Sequence, residues 1–242
     1  MSFRGYTTSK NIFDDREIFK SRIENFTDEI LMEHIDILND LHQRLKGCPI
    51  PINNMINKVV EDFKISKIFL ERDLEKFGTS YRNKFEYEVG NIGDEMLSRI
   101  ESILSIIEQS DYEDIILRSI KCKEISVYNT APNQIFMGEN FRIYVKNIDD
   151  FRENIVEYDY IKFLTKIKRM GKRIDFMKTC AYICGKESLE LNSYNFILAC
   201  VSFPYEFIRV ISKYRDLGED LSRYKNNINF DNVIEKDGES LV

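Results

Sequence analysis

EISVYNTAPNQIFMGENFRIYVKNIDDFRENIVEYDYIKFL, residues 124–164, decides the fold, because it alone departs from the helical periodicity of the rest of the chain. It reads as strand, loop, hairpin, loop and helix. Ile125 and Val127 open a short apolar strand, and the loop Tyr128–Asn133 contains Pro132, which cannot donate to a ladder. Gln134–Met137 and Phe141–Val145 are two β-prone runs separated by Gly138-Glu139-Asn140, which is turn chemistry, so a hairpin is expected. Lys146–Asn154 follows as a polar loop. Ile155, Tyr158, Ile161 and Leu164 then recur at the spacing of an amphipathic helix.

Outward from this centre the chain is helical. Thr27 is placed to cap a helix whose first turn holds Asp28 and Glu29, with Leu31, Ile35, Leu38 and Leu45 on one face and Gly47 as its stop. Cys48-Pro49-Ile50-Pro51 is a rigid break. Val59, Phe63, Leu70, Leu74 and Phe77 mark the next helix, which Gly78 ends. In the helix after it, Phe85, Val89, Ile92, Met96, Ile100, Ile103 and Ile107 form one stripe. Gly90 and Gly93 interrupt that helix at about 1 kcal/mol each, which suggests close approach of another backbone. Ser110 or Asp111 caps a shorter helix to about Ile120. Beyond the central stretch, helices are expected to about Gly171, over Ile174–Gly185, over Ser193–Val201 and over Pro204–Tyr214, with Pro204 in a first turn where its missing N–H costs nothing. Residues 1–26 read as a polar lead and a short amphipathic helix, Ile12–Phe26. Residues 218–242 read as a loose polar tail that folds onto a partner or onto the domain.

Composition narrows the class. The 242 residues are 43% hydrophobic, enough for one large core, and the net charge of −6 argues against a nucleic-acid partner. No apolar run is long enough for a membrane span and no signal-peptide core opens the sequence, so a cytoplasmic protein without a membrane partner is expected. Cys48, Cys122, Cys180, Cys184 and Cys200 lie mostly in apolar helical patterns, as reduced core cysteines do. Cys180 and Cys184 fall one turn apart and could share a metal, but neither histidine is near them in sequence.

The central residues resemble the phosphotransferase core of aminoglycoside/choline-kinase-like proteins, in particular the spore-coat CotS-type branch. That family's catalytic loop follows His-Gly-Asp-x-x-x-x-Asn, and Ser126–Asn133 is similar to it only in its final residue, Asn133. After a hairpin the family carries Asp-x-Asp, here Asn147-Ile148-Asp149, and then Tyr-Asp-Leu-Ala-Lys-Phe, here Tyr158-Asp159-Tyr160-Ile161-Lys162-Phe163. Leu38–Gly47, Phe85–Tyr112 and Phe203–Phe207 are similar to further segments of the family in the same order. The resemblance implies a mainly α, kinase-like C-lobe over residues 27–217, with one small hairpin and no N-terminal sheet lobe, since Met1–Phe26 is too short for one and holds no Gly-rich phosphate cradle. A helical domain unrelated to kinases would instead lack the 134–145 hairpin.

It also implies damaged chemistry. Phosphoryl transfer needs a base for the acceptor and carboxylates for magnesium. Tyr128 stands where the resemblance places the base aspartate, and a phenol with a pKa near 10 is a poor substitute. Asn147 stands at the metal aspartate and has lost a full charge, leaving Asn133 and Asp149 as oxygen ligands. No catalytic, cofactor or metal residue is therefore assigned; Tyr128, Asn133, Asn147 and Asp149 are degenerate positions, and by resemblance Asp159 tethers the former catalytic loop. His42 reads as a packed or hydrogen-bonded core residue. Lys166, Lys168, Arg169, Lys172 and Arg173 read as a solvated helix end rather than a phosphate site. The expected function is a non-catalytic pseudokinase acting as an interaction or structural protein in sporulation, in the mother cell or spore coat. Its partner, or a second copy, would dock on the face an N-lobe covers: the helix 28–46 and the loops 128–133 and 146–154. The alternative is a small-molecule phosphotransferase that uses ATP and magnesium through a rearranged site or a borrowed N-lobe.

Overall fold

A computed structural model describes residues 27–49, 52–78, 80–138, 141–216 and 228–242. The helix expected over Ile12–Phe26 lies outside the described residues. Helix α1 spans Asp28–Leu45; Thr27 caps it by accepting the Ile30 N–H, and Gly47 leaves it at φ +74°. Its apolar face is wider than four residues, since His34, Ile37, Leu41 and His42 are buried with Leu31, Ile35, Leu38 and Leu45. The reason is that α1 lies against the hairpin, the first strand and a later helix at once.

Helix α2 (Lys58–Phe77) pairs along its length with α3 (Lys84–Gln109). The stripe of α3 is buried as its spacing predicts, with only Ile92 left half-buried. The two glycines face side chains, not a backbone. A Cβ on Gly90 would sit 2.6 Å from the Tyr81 ring, and one on Gly93 would run into Leu74 Cδ2. Helix α4 spans Tyr112–Cys122 and starts after Asp111, whose side chain makes no capping bond.

The central stretch follows. Strands β2 (Ile135–Met137) and β3 (Ile143–Val145) form the expected antiparallel hairpin, with Phe136 opposite Tyr144. A second two-stranded sheet is a correction to the single hairpin: β1 (Ile125–Val127) pairs antiparallel with β4 (Phe151–Glu153), inside what reads as polar loop. Phe151 explains it, because its ring is buried opposite Val127 while Arg152 and Glu153 supply the polar appearance. Asn53 and Met55 bond to the Glu153 backbone and extend this edge. Among the described residues there is no larger sheet.

Helix α5 spans Glu157–Arg169, α6 Phe176–Glu187, α7 Leu191–Ser202 and α8 Tyr205–Asp216. Helix α7 is apolar on nearly every side and is buried from Phe196 to Ser202, packed among α3, α4, α5 and α6. The Pro204 carbonyl accepts the Ile208 N–H at 3.0 Å, so Pro204 sits at the entry of α8.

The end of the chain is not wholly a loose tail. Phe230–Asp237 is a helix, α9, docked on α8 and α5. Asp237 is buried and accepts the Glu206 and Phe207 N–H groups at 2.8 Å each, capping α8 from 30 residues away. Arg99 donates to the carbonyls of Ser202 and Gly238 at 2.7 Å, and Lys168 to that of Glu239 at 2.9 Å. Tertiary bonds of single polar residues hold this segment, which its local pattern cannot announce.

Candidate functional site

Asp159 enters the first turn of α5 and is buried completely. Its Oδ2 accepts the Val127 N–H at 2.7 Å and the His42 Nε2–H at 2.9 Å. The other His42 nitrogen, Nδ1, lies 2.6 Å from Glu187 Oε1, which the Tyr160 hydroxyl also reaches at 2.6 Å. Both ring nitrogens face carboxylates, so both must carry protons and His42 is an imidazolium. Burial opposes that charge, but the bonds to Asp159 and Glu187 outweigh it and push His42 up to about 10. Burial raises the Asp159 carboxyl above its usual range, against the pull of His42 and the Val127 amide. Its second oxygen, Oδ1, is buried with no partner.

A second buried cluster secures the ends of the same segment. Arg118 on α4 donates to Glu124 at 2.9 Å, to Glu157 at 2.7 Å and to Ser193 at 3.1 Å. Glu124 in turn accepts the Val156 N–H, and Glu157 accepts the Ser193 hydroxyl at 2.5 Å. The start of β1 and the start of α5 are thus tied to one guanidinium, which these carboxylates hold well above its ordinary basicity despite its burial.

Between these anchors runs the loop 128–134. The Tyr128 N–H donates to the Asp150 carbonyl at 2.8 Å, and the Gln134 N–H to that of Ala131 at 2.7 Å. His34 Nε2 lies 2.8 Å from the Thr130 carbonyl, and burial lowers its pKa to about 4, so the ring is neutral and donates. The Tyr128 side chain is half in solvent, with the Lys162 ammonium 5.5 Å from its ring and 5.2 Å from that of Tyr158.

Of the other positions that the resemblance singles out, Asn147 is engaged locally. Asn147 Oδ1 accepts the Asp149 N–H at 3.1 Å and its Nδ2 donates to Asp150 at 3.2 Å, which folds the side chain into its own turn. Asp149 is exposed. Asn133 is half-buried, and its Oδ1 has no partner. Among the described residues no three His, Cys, Asp or Glu side chains converge as a metal set. Cys180 and Cys184 are buried thiols, both raised by that burial, Cys184 to about 12. In the basic cluster, Lys168 and Arg169 are engaged with Glu239 and Glu206, and burial near Arg99 brings Lys168 down to about 8.

Sequence reasoning placed Asp159 and the loop beside each other but missed the Glu187 half of the His42 pair and the whole Arg118 cluster. Glu187 and Glu124 end and follow helices among lysines and look like solvated caps; only the third dimension shows otherwise.

No family model matches the chain, and no curated protein matches its sequence. Among solved structures it is similar to the crystal structure of an aminoglycoside phosphotransferase from Alicyclobacillus acidocaldarius subsp. acidocaldarius DSM 446. The TM-score is 0.63 and the identity 13%, over 86% of this chain. The chain spans 60% of the length of that protein. At such identity the likeness is one of fold: a kinase-like, aminoglycoside-phosphotransferase-type arrangement, mainly helical, without a large sheet among the described residues. No single described helix is long and apolar enough to cross a membrane.

Proposed function

We propose that this chain is a kinase-like module without phosphotransferase activity and that it works as an interaction or structural protein of spore formation. Its helical core is residues 27–217, and the mother cell or the spore coat is its place of action. The spore assignment rests on the resemblance of Tyr158–Phe163 and its companion segments to the spore-coat branch. The observation that carries the loss of activity is at Val127 and Tyr128. The backbone of Val127 is bonded to Asp159, so the scaffold of the loop is in place, yet the next side chain is a half-exposed phenol where the chemistry needs a carboxylate. Asn147 supports the same reading, since its amide is spent on its own turn.

A second reading, a phosphotransferase with a rearranged site or a lobe supplied by another subunit, is favoured by the unpartnered Asn133 Oδ1 and the exposed Asp149. Melting curves with and without magnesium and ATP separate the two. The non-catalytic reading predicts the same transition in both. A ligand at about 100 times its Kd would add about 2.7 kcal/mol of stability, and such a rise, abolished by Asn133→Ala, would favour the second reading.

A further inference from the structure

We propose that the cleft between the ends of α1 and α6 and the Arg118–Glu124 pair binds a small zwitterion, an α-amino acid with an apolar side chain. This goes beyond the reading above and does not depend on it, since none of Tyr128, Asn133, Asn147 and Asp149 lines the cleft. The cleft has a volume of about 140 Å³, roughly ten times the least space that holds one water. Hydrogen bonds define its two walls. On one, Glu187 bonds to His42 at 2.6 Å and to Gln43 at 3.3 Å, which joins the end of α6 to the end of α1. On the other, Glu124 bonds to Arg118 at 2.9 Å and accepts the Val156 N–H, which joins α4 to the start of α5. The Gly47 N–H donates to the Lys123 carbonyl at 3.2 Å and ties the two walls together.

The buried cations of these walls are outnumbered. The His42 imidazolium lies between Asp159 and Glu187, and the Arg118 guanidinium between Glu124 and Glu157, so four carboxylates share two positive charges. An excess of buried negative charge is costly unless a further cation reaches it. Polar valences of both signs are also left over in the cleft. The Lys46 ammonium lines it and has no hydrogen-bond or ion-pair partner among the described residues. Arg118 uses four of its five N–H groups, on Glu124 twice, on Glu157 and on Ser193, and keeps one. Glu187 Oε2 meets neutral amides alone, those of Gln43 and Asn39.

The mixture of signs selects the ligand. A simple anion would meet Lys46 and Arg118 but also the excess of carboxylate. A simple amine would meet Glu187 but would leave Lys46, a like charge, unpaired beside it. An amino acid answers both. Its carboxylate takes Lys46 and the last Arg118 N–H, its ammonium takes Glu187 Oε2, and its side chain lies against Val156 and Leu189, the apolar residues of the cleft. A metal ion is a poorer occupant, because among the described residues no three His, Cys, Asp or Glu side chains converge as ligands. Ordinary ligand sites run to about 300–1,000 Å³, so the cleft is too small for a nucleotide or a peptide.

The test is calorimetric titration of the full-length protein with L-valine, beside 3-methylbutanoate, which lacks the ammonium, and isobutylamine, which lacks the carboxylate. The proposal predicts saturable heat with L-valine and binding of each half-molecule weaker by about tenfold or more, since each forgoes a charge-assisted contact. No saturable heat with L-valine overturns it. So does binding of isobutylamine or of 3-methylbutanoate as tight as that of L-valine, which would make the cleft a site for a simple cation or a simple anion. Lys46 is exposed and holds no other element, so Lys46→Met should fold as the wild type does. It should bind L-valine about tenfold more weakly, while Lys46→Arg keeps most of the affinity. Equal affinity of Lys46→Met and the wild type also overturns the proposal.

Discussion

His42 Nε2 stands 2.9 Å from Asp159 Oδ2, across 117 residues of sequence, and the same oxygen holds the Val127 N–H. One carboxylate therefore joins α1, α5 and the end of β1. A bond of this kind fixes the loop that starts at Tyr128 whether or not any reaction takes place there.

Removing that carboxylate should be costly. Asp159→Ala leaves a buried imidazolium with one partner fewer and a buried amide with none, and breaking a buried pair this way costs about 3–5 kcal/mol. Urea denaturation should show that loss, and a double-mutant cycle with His42→Ala should show strong coupling. A loss below about 1 kcal/mol would mean that the pair does not hold the loop.

Stability should fall on both sides of neutrality, for two different histidines. His34 titrates near 4 when folded and at 6.5 when free, so the unfolded chain takes up its proton first; stability is lost as pH falls from about 6.5 to about 4, by about 3 kcal/mol. His42 is the opposite case. Its folded value of about 10 lies above 6.5, so its contribution is complete below 6.5 and lost as pH rises toward 10. Denaturation across this range should show His34→Gln flattening only the acid limb and His42→Gln only the alkaline one.

The C-terminal helix should be part of the folding unit. Asp237→Ala removes a side chain that satisfies two N–H groups at the start of α8, and caps of this sort are worth about 0.5–2 kcal/mol each. Thermal or urea unfolding should show a single transition shifted by that amount. A variant with unchanged stability would show α9 to be an accessory.

What the sequence revealed and what it concealed divide along a physical line. The stripe of α3, the Thr27 cap and the 135–145 hairpin were legible because spacing and turn chemistry within a few residues determine them. The strand Phe151–Glu153 and the helix Phe230–Asp237 were not, because each depends on a distant contact: Phe151 on Val127, and Asp237 on the amides of Glu206 and Phe207. At the site, Asp159 could be placed through its resemblance to a known motif. Glu187, Arg118 and Glu124 could not, since charged residues at helix ends are ordinarily solvated.

Asn147→Ala should change little. Its side chain serves an exposed turn, so the expected loss is at most about 1 kcal/mol. A large loss of activity or binding on this substitution, measured beside the wild type, would place the residue in a working site.

The most direct measurement is a calorimetric titration of the full-length protein with ATP and magnesium, with light scattering on the same sample. The account predicts no saturable heat. Saturable, magnesium-dependent binding that Asn133→Ala weakens would contradict it.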